Sequence, residues 1–199
     1  MDRLWTPWRY SYVTGASGDA DKRAGKAPRR GVPAVLDSWP GEDTGCVFCN
    51  LIHSVVWASR TGAAAAADAE RAGLIVARLE TCYVCLNRYP YTSGHLMIVP
   101  YLHTESLAKL PSDAAEEMIR TAQRMELVLR QTYKPDGINL GMNLGEAAGA
   151  GVAEHIHLHT LPRWFGDTNF MTVTAETRVL PEMLEVTWER LRSGLALEL

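Results

Sequence analysis

Three of the six histidines in this chain stand at alternate positions, in the run Glu154-His155-Ile156-His157-Leu158-His159-Thr160. On an extended backbone alternate side chains share a face. The spacing therefore predicts a strand with three imidazoles in a row, and with Ile156 and Leu158 turned to a core. A row of imidazoles suits two chemistries near neutral pH: binding a transition metal, or nucleophilic and acid–base work on a phosphate. Just upstream lies a loop of small residues, Gly145-Glu146-Ala147-Ala148-Gly149-Ala150-Gly151. Small residues let backbone amides approach an anion, and successive amides form a phosphate-binding nest. Asn143, just before the loop, carries an amide able to reach a phosphoryl oxygen. Loop and histidines together predict phosphate binding.

The four cysteines form two C-x-x-C pairs, Cys46/Cys49 and Cys82/Cys85. The first has the spacing of half a tetrahedral zinc site. Joining the two pairs would give a four-cysteine site. However, Cys82 and Cys85 fall inside a predicted strand, where residues three apart point to opposite faces, so the second pair reads as two small buried thiols. His103, after a strand end, and His155, at the start of the histidine strand, are the better completing ligands for Cys46 and Cys49. No strand–C-x-x-C–helix context supports a thioredoxin-like redox role.

The elements that must hold these residues follow from pattern. Leu74–Arg78 and Cys82–Asn87, rich in β-formers, flank Leu79-Glu80-Thr81 and predict a hairpin. His95–Pro100 is a third strand, launched by Ser93-Gly94 and stopped by proline. Leu110-Pro111-Ser112-Asp113 opens a helix, with Ser112 or Asp113 expected to cap it and Glu116 and Glu117 expected in its first turn. Met118, Ala122, Met125 and Leu129 recur on one face of that helix, which ends before Lys134-Pro135. Ile138–Asn143 is a fourth strand and the histidine run a fifth. Short links among the strands, with one long helix in the middle, predict an antiparallel α+β sheet. Residues 15–45, mixing Gly, Pro and charges, read as a mobile segment or long loop. Residues 59–72 read as a short helix or a surface excursion.

At 199 residues and 47% hydrophobic, the chain can bury one domain with appendages. A formal charge of -3 provides no basic footprint of the kind nucleic-acid binders show. No run approaches the roughly 18 apolar residues of a membrane helix, and the first residues do not resemble a signal peptide. Paired cysteines without an export signal point to a cytoplasmic protein.

The pattern His-apolar-His-apolar-His-x-x-Pro-Arg after a Gly-rich loop resembles the histidine-triad (HIT) superfamily of nucleotide hydrolases and transferases. The run Leu86–Pro100, with Asn87, Pro90 and Gly94-His95, resembles a second block of that family. Asp2–Arg9 and Gly166–Phe170 look like the bacterial branch resembling diadenosine tetraphosphate phosphorylases. The likeness runs from Cys46 to about Leu180. It implies an α+β, HIT-like fold: an antiparallel five-stranded sheet with one long helix and a C-terminal helix. The implied division is an N-terminal extension with linker (1–45), a catalytic domain (46–180) and a C-terminal helix (181–199).

The resemblance also implies roles. His157 would be the nucleophile, forming a nucleotidyl-histidine intermediate, and His159 would contact the phosphate and stabilise the leaving group. His155 would orient the strand or ligate zinc with Cys46, Cys49 and His103. Asn87 would bind the ribose, with the alternative that it only caps a turn before Pro90. Asn143 and the amides of Gly149, Ala150 and Gly151 would hold phosphoryl oxygens. Thr160 replaces a usual apolar residue, a change expected to be harmless. Gly151-Val152 stands where several relatives carry a hydroxyl or amide. The implied function is cleavage of dinucleoside polyphosphates, with inorganic phosphate or water as acceptor, structural zinc, no organic cofactor and a homodimer, to which Trp5 and Trp8 would contribute. Alternatives are a nucleoside phosphoramidase, a nucleotide-binding module without turnover, and a zinc-stabilised interaction domain.

Overall fold

The structure is a computed structural model that describes residues 29–60, 63–167 and 182–196. Its centre is a five-stranded antiparallel sheet: β1 (Ile75–Arg78), β2 (Cys82–Leu86), β3 (Leu96–Pro100), β4 (Gly137–Gly141) and β5 (Leu158–Arg163). The spatial order is β1-β2-β3-β5-β4. Among the described residues four α-helices accompany it: α1 (Val47–Ser59), α2 (Ala63–Gly73), α3 (Ser112–Tyr133) and α4 (Leu184–Ala196). The expected antiparallel α+β architecture is therefore present, including the β1–β2 hairpin and a helix within the Ser59–Ala72 segment.

Period-two burial divides the two faces of the sheet. Val84, Leu96, Ile98, Ile156 and Leu158 join Met118, Ala122, Met125 and Leu129 of α3 and Trp188 and Leu191 of α4 in one core. Ile75, Tyr83, Cys85, Met97 and Val99 join Phe48, Leu51, Ile52 and Val55 of α1 in the other. Cys82 lies in the first core and Cys85 in the second, so the second cysteine pair is split by the sheet as its spacing requires. The register sets Met97 opposite His159 and Leu96 opposite Thr160. His159 therefore shares the α1 face, while Thr160 faces α3. The Thr160 hydroxyl is fully buried with no hydrogen-bond partner among the described residues. Such an orphan costs about 1–3 kcal/mol, so this substitution, expected to be harmless, carries an unpaired polar group.

Several expectations are corrected. The triad does not lie wholly in a strand: β5 begins at Leu158, and His155–His157 form its approach. The ladder stops there because β4 ends at Gly141, opposite His159, and β3 pairs only from Leu158 onward. The Ile156 amide donates instead to the Thr104 carbonyl at 2.8 Å. At α3, Pro111 occupies the cap position with no side-chain cap bond, and Ser112 is already helical. Proline biases Leu110 toward extended backbone, with ψ 135, so the helix starts immediately after it. Only Asp113 is acidic in the first turn. Glu117 turns away to accept from the Thr81 amide at 2.6 Å and the Thr81 hydroxyl at 2.5 Å, pinning the β1–β2 turn.

Residues 29–45 form a loop that packs down, with Leu36 and Trp39 buried. The Arg29 guanidinium lies over the Trp39 ring and donates to the carbonyl of Asp37 at 2.9 Å. Trp5, Trp8 and residues 15–28 lie outside the described residues, as do Thr168–Phe170.

Candidate functional site

Helix α1 was not anticipated, and it organises the first cluster. Cys46 is its N-cap and Cys49 lies in its first turn. Asn50, fully buried, fastens this end: its Nδ2 donates to the Arg30 carbonyl at 2.9 Å and to Asp43 at 2.6 Å, and its Oδ1 accepts from the Thr44 amide at 3.0 Å. The sulfurs of Cys46 and Cys49 lie 3.4 and 3.6 Å from Nδ1 of His155, and Cys49 Sγ lies 3.5 Å from Nδ1 of His103. All four potential ligand atoms fall within 4.8 Å of one another.

Two sulfurs and two imidazole nitrogens are a fitting donor set for tetrahedral zinc. The outer contacts fit as well. Nε2 of His155 lies 2.9 Å from the Pro100 carbonyl. A carbonyl only accepts, so that nitrogen carries the proton and Nδ1 presents its lone pair to the cluster, the arrangement typical of a metal-ligating histidine. Burial lowers the His155 pKa to about 4, favouring the neutral ligand form. Burial, with Cys46 beside it, pushes the Cys49 thiol up to about 12, a penalty that a bound dication would reverse.

The other two triad histidines have their tautomers assigned by the same reasoning. Nδ1 of His157 lies 2.9 Å from the His155 carbonyl and so donates to it. Nε2 is left with the lone pair, and burial lowers the pKa of the ring, so a neutral, outward-presented Nε2 is the stable form. His159 is governed from farther away. The Tyr91 amide donates to Nδ1 of His95 at 3.1 Å. The His95 proton must then sit on Nε2, which lies 2.9 Å from Nδ1 of His159. Nδ1 of His159 accepts, and its own proton sits on Nε2. One imidazole thus offers an electron pair and its neighbour offers a proton, with ring centroids 4.7 Å apart.

Both rings line a cleft between α1, the β2–β3 loop and the Gly-rich loop. Val47, Phe48 and Leu51 supply apolar wall, and Asn87, Asn143, Gly149 and Gly151 supply polar groups and close backbone. Gly31 closes one side; its φ is +85°, and a Cβ there would sit 2.1 Å from the Val47 carbonyl oxygen. Asn87 Oδ1 accepts from the Tyr89 amide at 2.9 Å, so Asn87 does shape a turn while lining the cleft, and its Nδ2 is what it offers a ligand. Asn143 Nδ2 reaches the Gly149 carbonyl at 3.5 Å.

Asn87, Asn143, Gly149, Gly151, His157 and His159, all singled out from sequence, are thus brought together. Ala150 is in the loop but not in the lining. The loop also differs from an open nest. A 3-10 turn over Glu146–Ala148 draws the Gly149 amide to the Glu146 carbonyl at 2.9 Å and the Ala150 amide to Gly145 at 3.4 Å. His155 does not line the cleft; it lies in the cysteine cluster. Sequence reasoning missed Phe48, whose ring is 4.9 Å from His157 and 5.5 Å from His155, and missed His95 as the partner of His159. The available signal for His95 was its place just before β3, whose register runs alongside the triad strand.

Comparison with known proteins agrees with this geometry. The model of the HIT domain matches residues 68–166. A Mycobacterium tuberculosis protein described as an AP-4-A phosphorylase is 33% identical over 190 residues, covering 94% of this chain and 80% of its own length. A Zn-bound histidine triad family protein from Mycobacterium smegmatis superposes with a TM-score of 0.56 at 29% identity, over 77% of this chain and 94% of that one. A protein described as a hypothetical histidine triad nucleotide-binding protein from Sulfolobus tokodaii superposes with a TM-score of 0.52 at 26% identity, over 62% and 83% of the two chains.

Proposed function

Because this chain belongs to the histidine-triad (HIT) family, we propose that it is an enzyme that processes nucleotides, cleaving dinucleoside polyphosphates by nucleotidyl transfer through His157. The observation that carries this reading is the tautomer of His157: Nδ1 is committed to the His155 carbonyl, and Nε2 holds its lone pair in a cleft that also contains Asn143 and His159. The relative named AP-4-A phosphorylase supports diadenosine tetraphosphate as the substrate.

In the first step Nε2 of His157 attacks the α-phosphorus. The bond from phosphorus to the bridging oxygen breaks, and ATP departs as an anion whose oxygen accepts a hydrogen bond from the Nε2–H of His159. Phe48 and His159, with ring centroids 4.9 and 4.7 Å from that of His157, hold the attacking ring, the orientation on which such displacements depend. In the second step an acceptor oxygen attacks phosphorus, the N–P bond breaks and restores the neutral imidazole, and the proton carried by the attacking oxygen is released to solvent. Inorganic phosphate as acceptor yields ADP; water yields AMP. Asn87 would hold the ribose, and Asn143 with the Gly149–Gly151 backbone would approach the phosphoryl oxygens.

Zinc would be held by Cys46, Cys49, His103 and His155. Its contribution is structural, tying the start of α1 to the triad approach. The solved Zn-bound relative supports this. Four free thiols, all buried, support a reducing compartment such as the cytoplasm; among the described residues no helix is long and apolar enough to cross a membrane.

A homodimer is supported by the edge of β4, which pairs with no further strand among the described residues, and by large exposed apolar groups, Leu140 on the strand with Ile119 of α3 beside it and Leu127 elsewhere on α3. An unpaired edge with apolar neighbours favours pairing. Light scattering on the eluted protein should return twice the chain mass; a monomer at micromolar concentration would remove this part of the reading.

The enzymatic reading is tested by incubating the protein with diadenosine tetraphosphate, with and without inorganic phosphate. ADP plus ATP only with phosphate marks a phosphorylase, and AMP plus ATP regardless marks a hydrolase. His157→Asn should retain nucleotide binding and lose turnover by a factor of about 10⁴ or more. Unchanged turnover in that variant would refute the nucleophile.

A further inference from the structure

Beyond the triad, the described residues form a second cavity of about 530 Å³ that the proposed chemistry leaves unused. Its volume falls within the roughly 300–1,000 Å³ of small-molecule sites. Tyr91, which lines it, lies 6.2 Å from His159, which lines the first cleft. Phe48, His157, His159 and Tyr91 form a succession with centroid separations of 4.9, 4.7 and 6.2 Å. His157 and His159 line the first cleft, while Tyr91 lines the second cavity.

The walls of this cavity are aromatic and polar in a particular combination. Tyr133 and Trp164 meet edge to face at 6.4 Å, and Phe165 stands beside them 93% exposed, a large apolar ring left to solvent. Ser93, only 9% exposed, lines the cavity with an Oγ that has no hydrogen-bond partner among the described residues. A buried hydroxyl without a partner is uncommon in a native fold and marks a place for one. The two acids at the wall are already neutralised. Asp167 accepts from Arg163 at 2.5 and 2.8 Å. Glu182 pairs with Arg190 at 3.0 Å and accepts from Tyr133 at 2.5 Å and Thr187 at 2.6 Å. The cavity thus combines flat π surfaces, one waiting hydroxyl and no unpaired acid facing an anion. That is the chemistry that recognises a nucleoside rather than a phosphate cluster.

We propose that this cavity is the subsite for the second nucleoside of a dinucleoside polyphosphate, the half that departs with the leaving group, with its base against Trp164 and Phe165 and a polar edge on Ser93. The assignment rests on the nucleotidyl-transfer reading above. While His157 holds the first α-phosphate, the polyphosphate bridge passes His159 and Tyr91 into the cavity. The subsite selects substrates with two nucleosides over those with one, because only the former fill both cavities.

The test is calorimetric binding to the full chain carrying His157→Asn, comparing diadenosine tetraphosphate with adenosine 5′-tetraphosphate, which shares the first nucleoside and the bridge but lacks the second nucleoside. Stacking of one base on aromatic side chains predicts about tenfold tighter binding of the dinucleotide. Phe165→Ala and Trp164→Ala should each narrow that preference while leaving the mononucleotide affinity unchanged. Phe165→Ala alters an exposed ring and keeps the fold, so it stands as the control if Trp164→Ala does not. Equal affinity for the two ligands, or equal weakening of both by Phe165→Ala, overturns the proposal. Tight mononucleotide binding with no dinucleotide preference fails the subsite alone. Absence of binding by either ligand fails the nucleotide reading and the subsite with it.

Discussion

Replacing His95 with phenylalanine preserves a buried ring of similar size and removes both of its nitrogens. Two hydrogen bonds are lost, from the Tyr91 amide at 3.1 Å and to Nδ1 of His159 at 2.9 Å. Each orphaned partner costs about 1–3 kcal/mol; with part of that recovered by relaxation, the fold should lose about 2 kcal/mol in urea denaturation. The catalytic consequence is separate. Without the His95 proton, Nδ1 of His159 is no longer forced to accept, and the ring can hold its proton on the wrong nitrogen. Removing one preorganised donor to a developing oxyanion costs about 10²–10³-fold, so kcat for diadenosine tetraphosphate should fall about 10²-fold with KM little changed. The decisive comparison uses a nucleoside 5′-(4-nitrophenyl phosphate), whose departing oxygen spreads its charge into the nitro-substituted ring and depends less on a hydrogen bond. Its kcat should fall by no more than about threefold, because His157 and its tautomer are untouched. Equal losses on both substrates would refute the chain of donors from Tyr91 to His159 and reduce His95 to a structural role.

The carboxylate of Glu117 joins α3 to the β1–β2 turn. Burial pushes its pKa up, but hydrogen bonds from the Thr81 hydroxyl and the amides of Thr81 and Glu80 outweigh it and hold the value below the ordinary 4.5. Its stabilisation is therefore present above about pH 4.5 and is lost as pH falls through the folded value. Glu117→Gln should cost about 1 kcal/mol at pH 7 by chemical denaturation and flatten the acid limb of the stability–pH curve; an unaltered acid limb would contradict this. Cys49→Ser should abolish stoichiometric zinc by elemental analysis and lower Tm, because a structural zinc contributes directly to folding. Full zinc occupancy in that variant would show that the four-ligand cluster is not the site.

What could be read directly from the chain were the features encoded by local periodicity. Runs of β-formers bounded by turn residues and proline wrote the β1–β2 hairpin and β3, and the recurrence of Met118, Ala122, Met125 and Leu129 wrote the buried face of α3. Neighbours in sequence are enough to set a face on a strand or helix, so the three histidines and the opposition of Cys82 to Cys85 were legible too. The zinc ligands could be proposed from donor chemistry, although Cys46 and His155 are 109 residues apart. Tertiary structure decided the rest. Helix α1 lacks a polar face strong enough to announce itself: eight of its thirteen residues are buried, and its identity comes from packing against the sheet. The start of β5 depends on where β3 and β4 stop. The tautomers of His155, His157 and His159 depend on single acceptors or donors, the Pro100 carbonyl 55 residues away, the His155 carbonyl and His95 64 residues away. A sequence determines which groups can donate or accept, but only the folded backbone determines which of them meet, and in this site that meeting decides which nitrogen attacks and which presents its N–H to the departing oxygen.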